Sequence, residues 1–90
     1  MNNLLISYDP HFIKELKKLP SFIIYQAAAK EKLFKTNPLH PSLRIHKLKG
    51  KLNGLWSLSI NKKYRIIFEP QNDGVILFIS VGKHNIYRYL

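Results

Sequence analysis

The spacing of apolar residues divides the chain into a helical first part and a stranded second part. Leu4 to Tyr8 is a short β-like run, closed by Asp9-Pro10, which supplies a helix N-cap and a first-turn proline. Phe12, Ile13, Leu16 and Leu19 then recur at helical spacing, with Lys14, Glu15, Lys17 and Lys18 on the remaining arc, and predict a short amphipathic helix. Pro20-Ser21 interrupts it. Phe22 to Lys35, with Ala27, Ala28 and Ala29 favouring helix, predicts a second helix whose apolar stripe is less regular. Two helices joined this tightly predict a helical hairpin. Asn37-Pro38 ends the pair, and His40-Pro41 keeps the backbone extended.

From Leu43 onward the period is two. Leu43 to Leu52 predicts a strand, Asn53-Gly54 a tight hairpin turn, and Trp56, Leu58 and Ile60 alternating with Ser57 and Ser59 a half-buried partner strand. Tyr64 to Glu69 and Val75 to Val81 are apolar on both parities, with turn chemistry in Pro70-Gln71-Asn72-Asp73-Gly74 between them, and predict the central strands. His84 to Leu90 fits a single turn and an extended end equally. The predicted order is β-α-α-β-β-β, an α+β fold with an N-terminal helical hairpin packed on a largely antiparallel sheet.

Composition narrows the partners. Ninety residues without repeats or linker-like tracts predict one domain over residues 1–90, too small to carry a second core. The absence of cysteine excludes a disulfide framework, a Cys-based zinc site and a thiol nucleophile, and suits a reducing cytosol. Met1 to Ile6 has neither a basic n-region nor a long apolar h-region, and no apolar run approaches the roughly 18 residues of a membrane span. A cytoplasmic protein with no membrane partner is expected. Fifteen Lys+Arg against five Asp+Glu give a net charge of +10, a field that attracts polyanions. Nucleic acid and an acidic protein fit equally well. An anionic membrane fits less well, because the basic residues do not lie on one face of a long amphipathic helix.

No metal, phosphate-loop or dinucleotide signature is present, and no cofactor is expected. The segment that stands out is basic: Arg44, His46, Lys47, Lys49 and Lys51 fall within eight positions, with Arg65, Lys83, His84 and Arg88 further on. As a strand, this segment would place Arg44 and His46 on one face and the three lysines on the other. Lysines on an exposed edge strand also guard against edge-to-edge pairing, which needs no activity. Arg65 interrupts an apolar strand, and a partly buried arginine requires an anion, either a carboxylate of this chain or a ligand phosphate. With so few carboxylates the balance tips towards a ligand. His46 and His84 are individually weak signals, but with Arg and Lys they form the set that metal-free RNA cleavage requires. One group takes the 2′-hydroxyl proton, another protonates the departing 5′-oxygen, and cations stabilise the phosphorane. Histidine, with an ordinary pKa of about 6.5, serves either proton transfer. Tyr87 and Tyr89 offer faces for base stacking; core packing or tail anchoring is the alternative, and is favoured for Tyr89.

The runs His46-Lys47-Leu48-Lys49-Gly50 through Trp56, Tyr64-Arg65-Ile66-Ile67-Phe68 and Val81-Gly82-Lys83-His84 resemble the RelE/ParE superfamily of bacterial toxins. Within it the chain is similar to the RelE branch that includes YafQ and YoeB. The resemblance spans essentially the whole sequence. It implies a ribosome-dependent endoribonuclease that cleaves mRNA and is neutralised by a cognate acidic antitoxin. By the same resemblance Arg65 contacts the scissile phosphate, His84 is the general acid and His46 is the candidate general base. Lys47 and Lys49 resemble lysines that bind RNA, Lys51 and Lys83 extend that basic set, and Tyr87 corresponds to a tail aromatic that stacks on a base. The departures are the lack of a carboxylate base, Ser59 and Lys63 where YafQ has a histidine and an aspartate, and Trp56, which follows the YoeB pattern. A ParE-like inhibitor of DNA gyrase, acting as a binding module on the same fold, is the rival expectation.

Overall fold

Prolines, caps and glycines set where the elements begin and end. A computed structural model of the protein describes residues 3–83 and 85–86. It contains β1 (Leu5–Tyr8), α1 (Pro10–Lys17), α2 (Ser21–Thr36), β2 (His46–Lys47), β3 (Trp56–Ser59), β4 (Tyr64–Pro70) and β5 (Val75–Lys83). Asp9 caps α1 through its side chain, which accepts the His11 N–H at 2.8 Å, and Pro10 occupies the first turn where no N–H is needed. The chain leaves α1 at Lys18, and Pro20 opens α2 with its carbonyl, which accepts the N–H groups of Ile23 and Ile24. Asn37 closes α2 by donating its N–H to the Leu33 carbonyl at 2.7 Å.

The strands form one mixed sheet in the order β1-β5-β4-β3-β2. β1 runs parallel to β5 with Tyr8 opposite Phe78, and all other pairs are antiparallel. The sheet is thus largely antiparallel, with β4 at its centre. Both helices lie on one face. Phe12 from α1 and Ile23, Ala27 and Phe34 from α2 bury against Leu58, Ile66, Phe68, Phe78 and Val81 of the sheet. Between the helices runs an apolar groove of about 230 Å³, floored by Ile66 and Phe78. At its rim the Tyr8 hydroxyl donates to the Glu31 carboxylate. Burial, reinforced by that carboxylate, pushes the Tyr8 phenol up to about 12.

Two local features shape the strands. In β5 one extra residue, Ile79, is accommodated between the pairs Phe68–Phe78 and Ile67–Ser80. Beyond Phe78 there is no β1 residue to pair with β5. Glu15 of α1 fills that position: its carboxylate accepts the Val81 N–H at 3.0 Å and the Ser80 hydroxyl at 2.6 Å.

The predicted strand over Leu43 to Leu52 is corrected to two residues, His46–Lys47. A 3-10 turn over Pro41–Leu43 drives Leu43 into the core, where it is fully buried, and Arg44 follows in the left-handed region at φ 46°. A second 3-10 turn over Gly50–Leu52 starts from Gly50 at φ 68°. The burial of leucines, not strand pairing, sets the path here: Leu48 and Leu52 fold onto the sheet face opposite the helices, against Ile67 and Ile86. Asn53-Gly54 does turn the chain, with Leu55 N–H donating to the Leu52 carbonyl at 3.0 Å. Asn53 at φ −56°, ψ 133° and Gly54 at φ 94° make it a type II turn, not the mirror-image turn of a two-residue hairpin.

Candidate functional site

Strand register decides which of the predicted residues share a surface. His46 lies opposite Ser57 and Ser57 opposite Ile67, while Ser59 lies opposite Arg65 and Arg65 opposite Gly82. Leu58, Ile66 and Val81, the intervening positions, face the helices. His46, Ser57, Ser59, Arg65 and Gly82 therefore all lie on the face opposite the helices. Two interstrand spacings and two residues of rise put the Cα atoms of His46 and Arg65 about 12 Å apart. An imidazole and a guanidinium reaching inward can close that gap on one ribose-phosphate unit.

His46 is exposed at the end of the short β2, and its Nδ1 lies 3.4 Å from both the Arg44 carbonyl and the Ser57 hydroxyl. A proton on Nδ1, donated to either oxygen, makes Nε2 the basic nitrogen. Arg65 is half-buried on β4. Its register partner Gly82 is held to glycine by packing: a Cβ there would lie 2.3 Å from Cγ2 of Ile86. Ile86 in turn covers Ile67, so an apolar floor of Leu48, Ile67 and Ile86 adjoins the polar residues on the same face.

The basic residues do not act as one strip. Lys47 pairs with Trp56, whose ring stacks on Phe68 of the helix-side core, so Lys47 is on the opposite parity from His46. Lys49 and Lys51 are exposed in and beside the Gly50–Leu52 turn. Lys83, opposite Tyr64, is on the helix-side parity with Phe22 and Lys63 beside it. His84 and Tyr87 lie outside the described residues.

Sequence reasoning missed a cluster at the edge of β3. Lys30 of α2 and Lys62 of the β3–β4 turn join Arg44 and Arg65 around a cleft of about 280 Å³. The signal was present in Asn61, whose side chain accepts the N–H groups of Lys63 and Tyr64 and donates to Gln26, one helical turn before Lys30. Among the described residues no group of three or more His, Cys, Asp or Glu is placed to hold a metal ion.

Comparison with known proteins identifies the family and the fold. Residues 8–84 match the family model of the RelE-like toxin of type II toxin-antitoxin system HigB. The chain belongs to this family. The toxin's fold is similar to that of YafQ from E. coli BL21(DE3), with a TM-score of 0.77, 18% identity and coverage of 93% of this chain and 97% of that one. YoeB from Staphylococcus aureus superimposes with a TM-score of 0.72 at 23% identity, over 91% of the toxin and 98% of YoeB. Archaeal RelE in its complex with RelB from Pyrococcus horikoshii OT3 gives 0.72 at 17% identity, over 92% and 97%. No curated protein matches the toxin's sequence.

Proposed function

We propose that this RelE-like toxin is a ribosome-dependent mRNA endonuclease. The observation that carries the reading is the placement of His46 and Arg65 on the sheet face opposite the helices, about 12 Å apart at Cα, a gap their side chains can close on one ribose-phosphate unit. In this reading Nε2 of His46 takes the proton from a 2′-hydroxyl, and the 2′-oxygen attacks the adjacent phosphorus. Arg65 stabilises the negative charge that builds on the non-bridging oxygens. His84 protonates the departing 5′-oxygen, leaving a 2′,3′-cyclic phosphate and a free 5′-hydroxyl. Lys47, Lys49, Lys51 and Lys83 add to the field that draws in RNA, and Tyr87 stacks on a base. No metal or cofactor takes part, since two imidazoles and a guanidinium supply proton transfer and charge stabilisation. The ribosome presents the mRNA, which explains how a chain with so few proton-transfer groups suffices.

The cognate partner is an acidic antitoxin, and the compartment is the cytoplasm. Structures of YafQ with DinJ and of Staphylococcus aureus YoeB with YefM support the partner, as does the +10 charge of this chain. An acidic segment that folds as it binds would neutralise that charge. Among the described residues no helix is long and apolar enough to cross a membrane.

Mapping 5′ ends of a reporter mRNA in a purified translation system tests the reading, with wild type, His84→Ala and Arg65→Ala side by side. New ends inside translated codons that require ribosomes and vanish in both variants are expected. Untouched mRNA together with inhibited gyrase supercoiling would replace the reading with the ParE-like one.

A further inference from the structure

Three cations without a part in the chemistry above converge beyond the end of β2. Lys30, Arg44 and Lys62 come from α2, the exit of the Pro41–Leu43 turn and the β3–β4 connection, and they line one cleft with Arg65. The rest of the lining is hydroxyl and amide, with neither a carboxylate nor an apolar side chain. The chain's five acidic side chains are engaged elsewhere. Asp9 caps α1, Glu15 holds β5, Glu31 receives Tyr8, Glu69 receives Gln71 and Asp73 receives the Val75 N–H. None of the five lines the cleft.

The positions of the cations are built. Lys30 donates to the Ser42 carbonyl at 3.1 Å, which fixes its ammonium at the cleft wall with two further N–H groups to offer. Asn61 locks the turn that carries Lys62. Arg44 is the one non-glycine residue with positive φ among the described residues. His40 holds the turn before it, its Nδ1 accepting the Ser42 N–H at 3.1 Å. An arginine kept where glycine would be unstrained points to a use for its side chain.

We propose that this cleft is a phosphodiester subsite that holds the backbone of the substrate RNA next to the phosphate contacted by Arg65. The proposal rests on the nuclease reading for the identity of the strand. A phosphodiester suits the cleft better than an acidic peptide does. Phosphate oxygens need only donors and charge, whereas a peptide that orders on binding needs apolar surface to offset its entropy.

The test measures binding of a short 2′-O-methylated single-stranded RNA, which is not cleaved, across a salt series. Lys30→Gln/Arg44→Gly/Lys62→Gln is compared with Lys14→Gln/Lys17→Gln/Lys18→Gln on α1, which removes the same charge elsewhere. Each phosphate contact on a single strand contributes about 0.7 to the salt slope, so the cleft variant should lose about 2 and the control much less. Arg44→Gly alone should lower the slope by about 0.7 and keep the melting temperature, since glycine suits that backbone. Equal losses in the two triple variants would overturn the proposal. So would a cleft variant that binds RNA normally but loses a poly-glutamate peptide. Ribosome-dependent cleavage measured on the same preparations separates the two failures. A wild type that cleaves, with a slope the cleft variant shares, rejects only the subsite; a wild type that neither cleaves nor binds RNA rejects both.

Discussion

Glu15 stands in for a strand, and removing its carboxylate should be far more damaging than removing a surface charge. β1 pairs with β5 only as far as Tyr8 opposite Phe78, and the next inward N–H on that edge, Val81, is satisfied by Glu15 at 3.0 Å. Val81 and Ser80 are each 2% exposed, so water does not readily replace the carboxylate. Hydrogen bonds to a charged group contribute about 1.5–3 kcal/mol each, and an orphaned buried donor costs about 1–3 kcal/mol. The Ser80 hydroxyl can rotate to another acceptor, but the backbone N–H cannot. Glu15→Ala is therefore expected to destabilise by about 3 kcal/mol, which at about 4–8 °C per kcal/mol for a domain of this size lowers Tm by about 12–24 °C. Glu15→Gln keeps a neutral acceptor and should lose about half of that. The contact with His11, at 3.3 Å and largely exposed, adds little. Urea and thermal unfolding followed by circular dichroism give both values. A loss below about 0.5 kcal/mol for Glu15→Ala, the range of an ordinary surface substitution, would refute the argument that the carboxylate completes the sheet edge.

Gly82→Ala should destabilise by about 1–3 kcal/mol by displacing Ile86 from Ile67, and Ile86→Ala in the same chain should relieve part of that loss; strictly additive losses in urea unfolding would show that the two residues do not meet. Tyr8 keeps its proton up to about pH 12 when folded but releases it near pH 10 when unfolded, so its share of stability is present below pH 10 and falls as pH rises towards 12. Tyr8→Phe should remove that share of the alkaline loss, and parallel pH curves for the two proteins would contradict it. His46→Gln should lower the rate of ribosome-dependent cleavage by about 10²–10⁴-fold with an unchanged melting temperature, since the ring is exposed; full cleavage activity in the variant would assign the base elsewhere.

Much of the fold was legible because its signals are local. Asp9-Pro10, the helical spacing from Phe12 to Leu19 and the turn before Val75 each specify their element without help from the rest of the chain. The segment from Leu43 to Leu52 was not legible as a strand or a loop, because its leucines alternate for two different destinations. Leu43 enters the helix-side core, and Leu48 lies on the opposite face against Ile67. That second cluster also explains why β4 reads apolar on both parities. The candidate site was legible in part: His46 and Arg65 stood out by residue type, and register then placed them together. Lys30 and Lys62 did not stand out, since a lysine in a helix and one in a turn are ordinary until three-dimensional packing brings them to one cleft.

The extra residue in β5 has a consequence for how this molecule tolerates change. Phe78 and Val81 both enter the helix-side core although they are three positions apart, a spacing that an unbroken strand assigns to opposite faces. Ile79 thus works as a phase joint between two half-strands. The first half pairs with β1 on one side and with Phe68 to Pro70 of β4 on the other, and the second half pairs with Tyr64 to Ile67 of β4, where Arg65 and Gly82 meet. Removing Ile79 would leave Phe78, Ser80 and Val81 opposite Phe68, Ile67 and Ile66 as they are now, so the strand would become regular without any later side chain changing face.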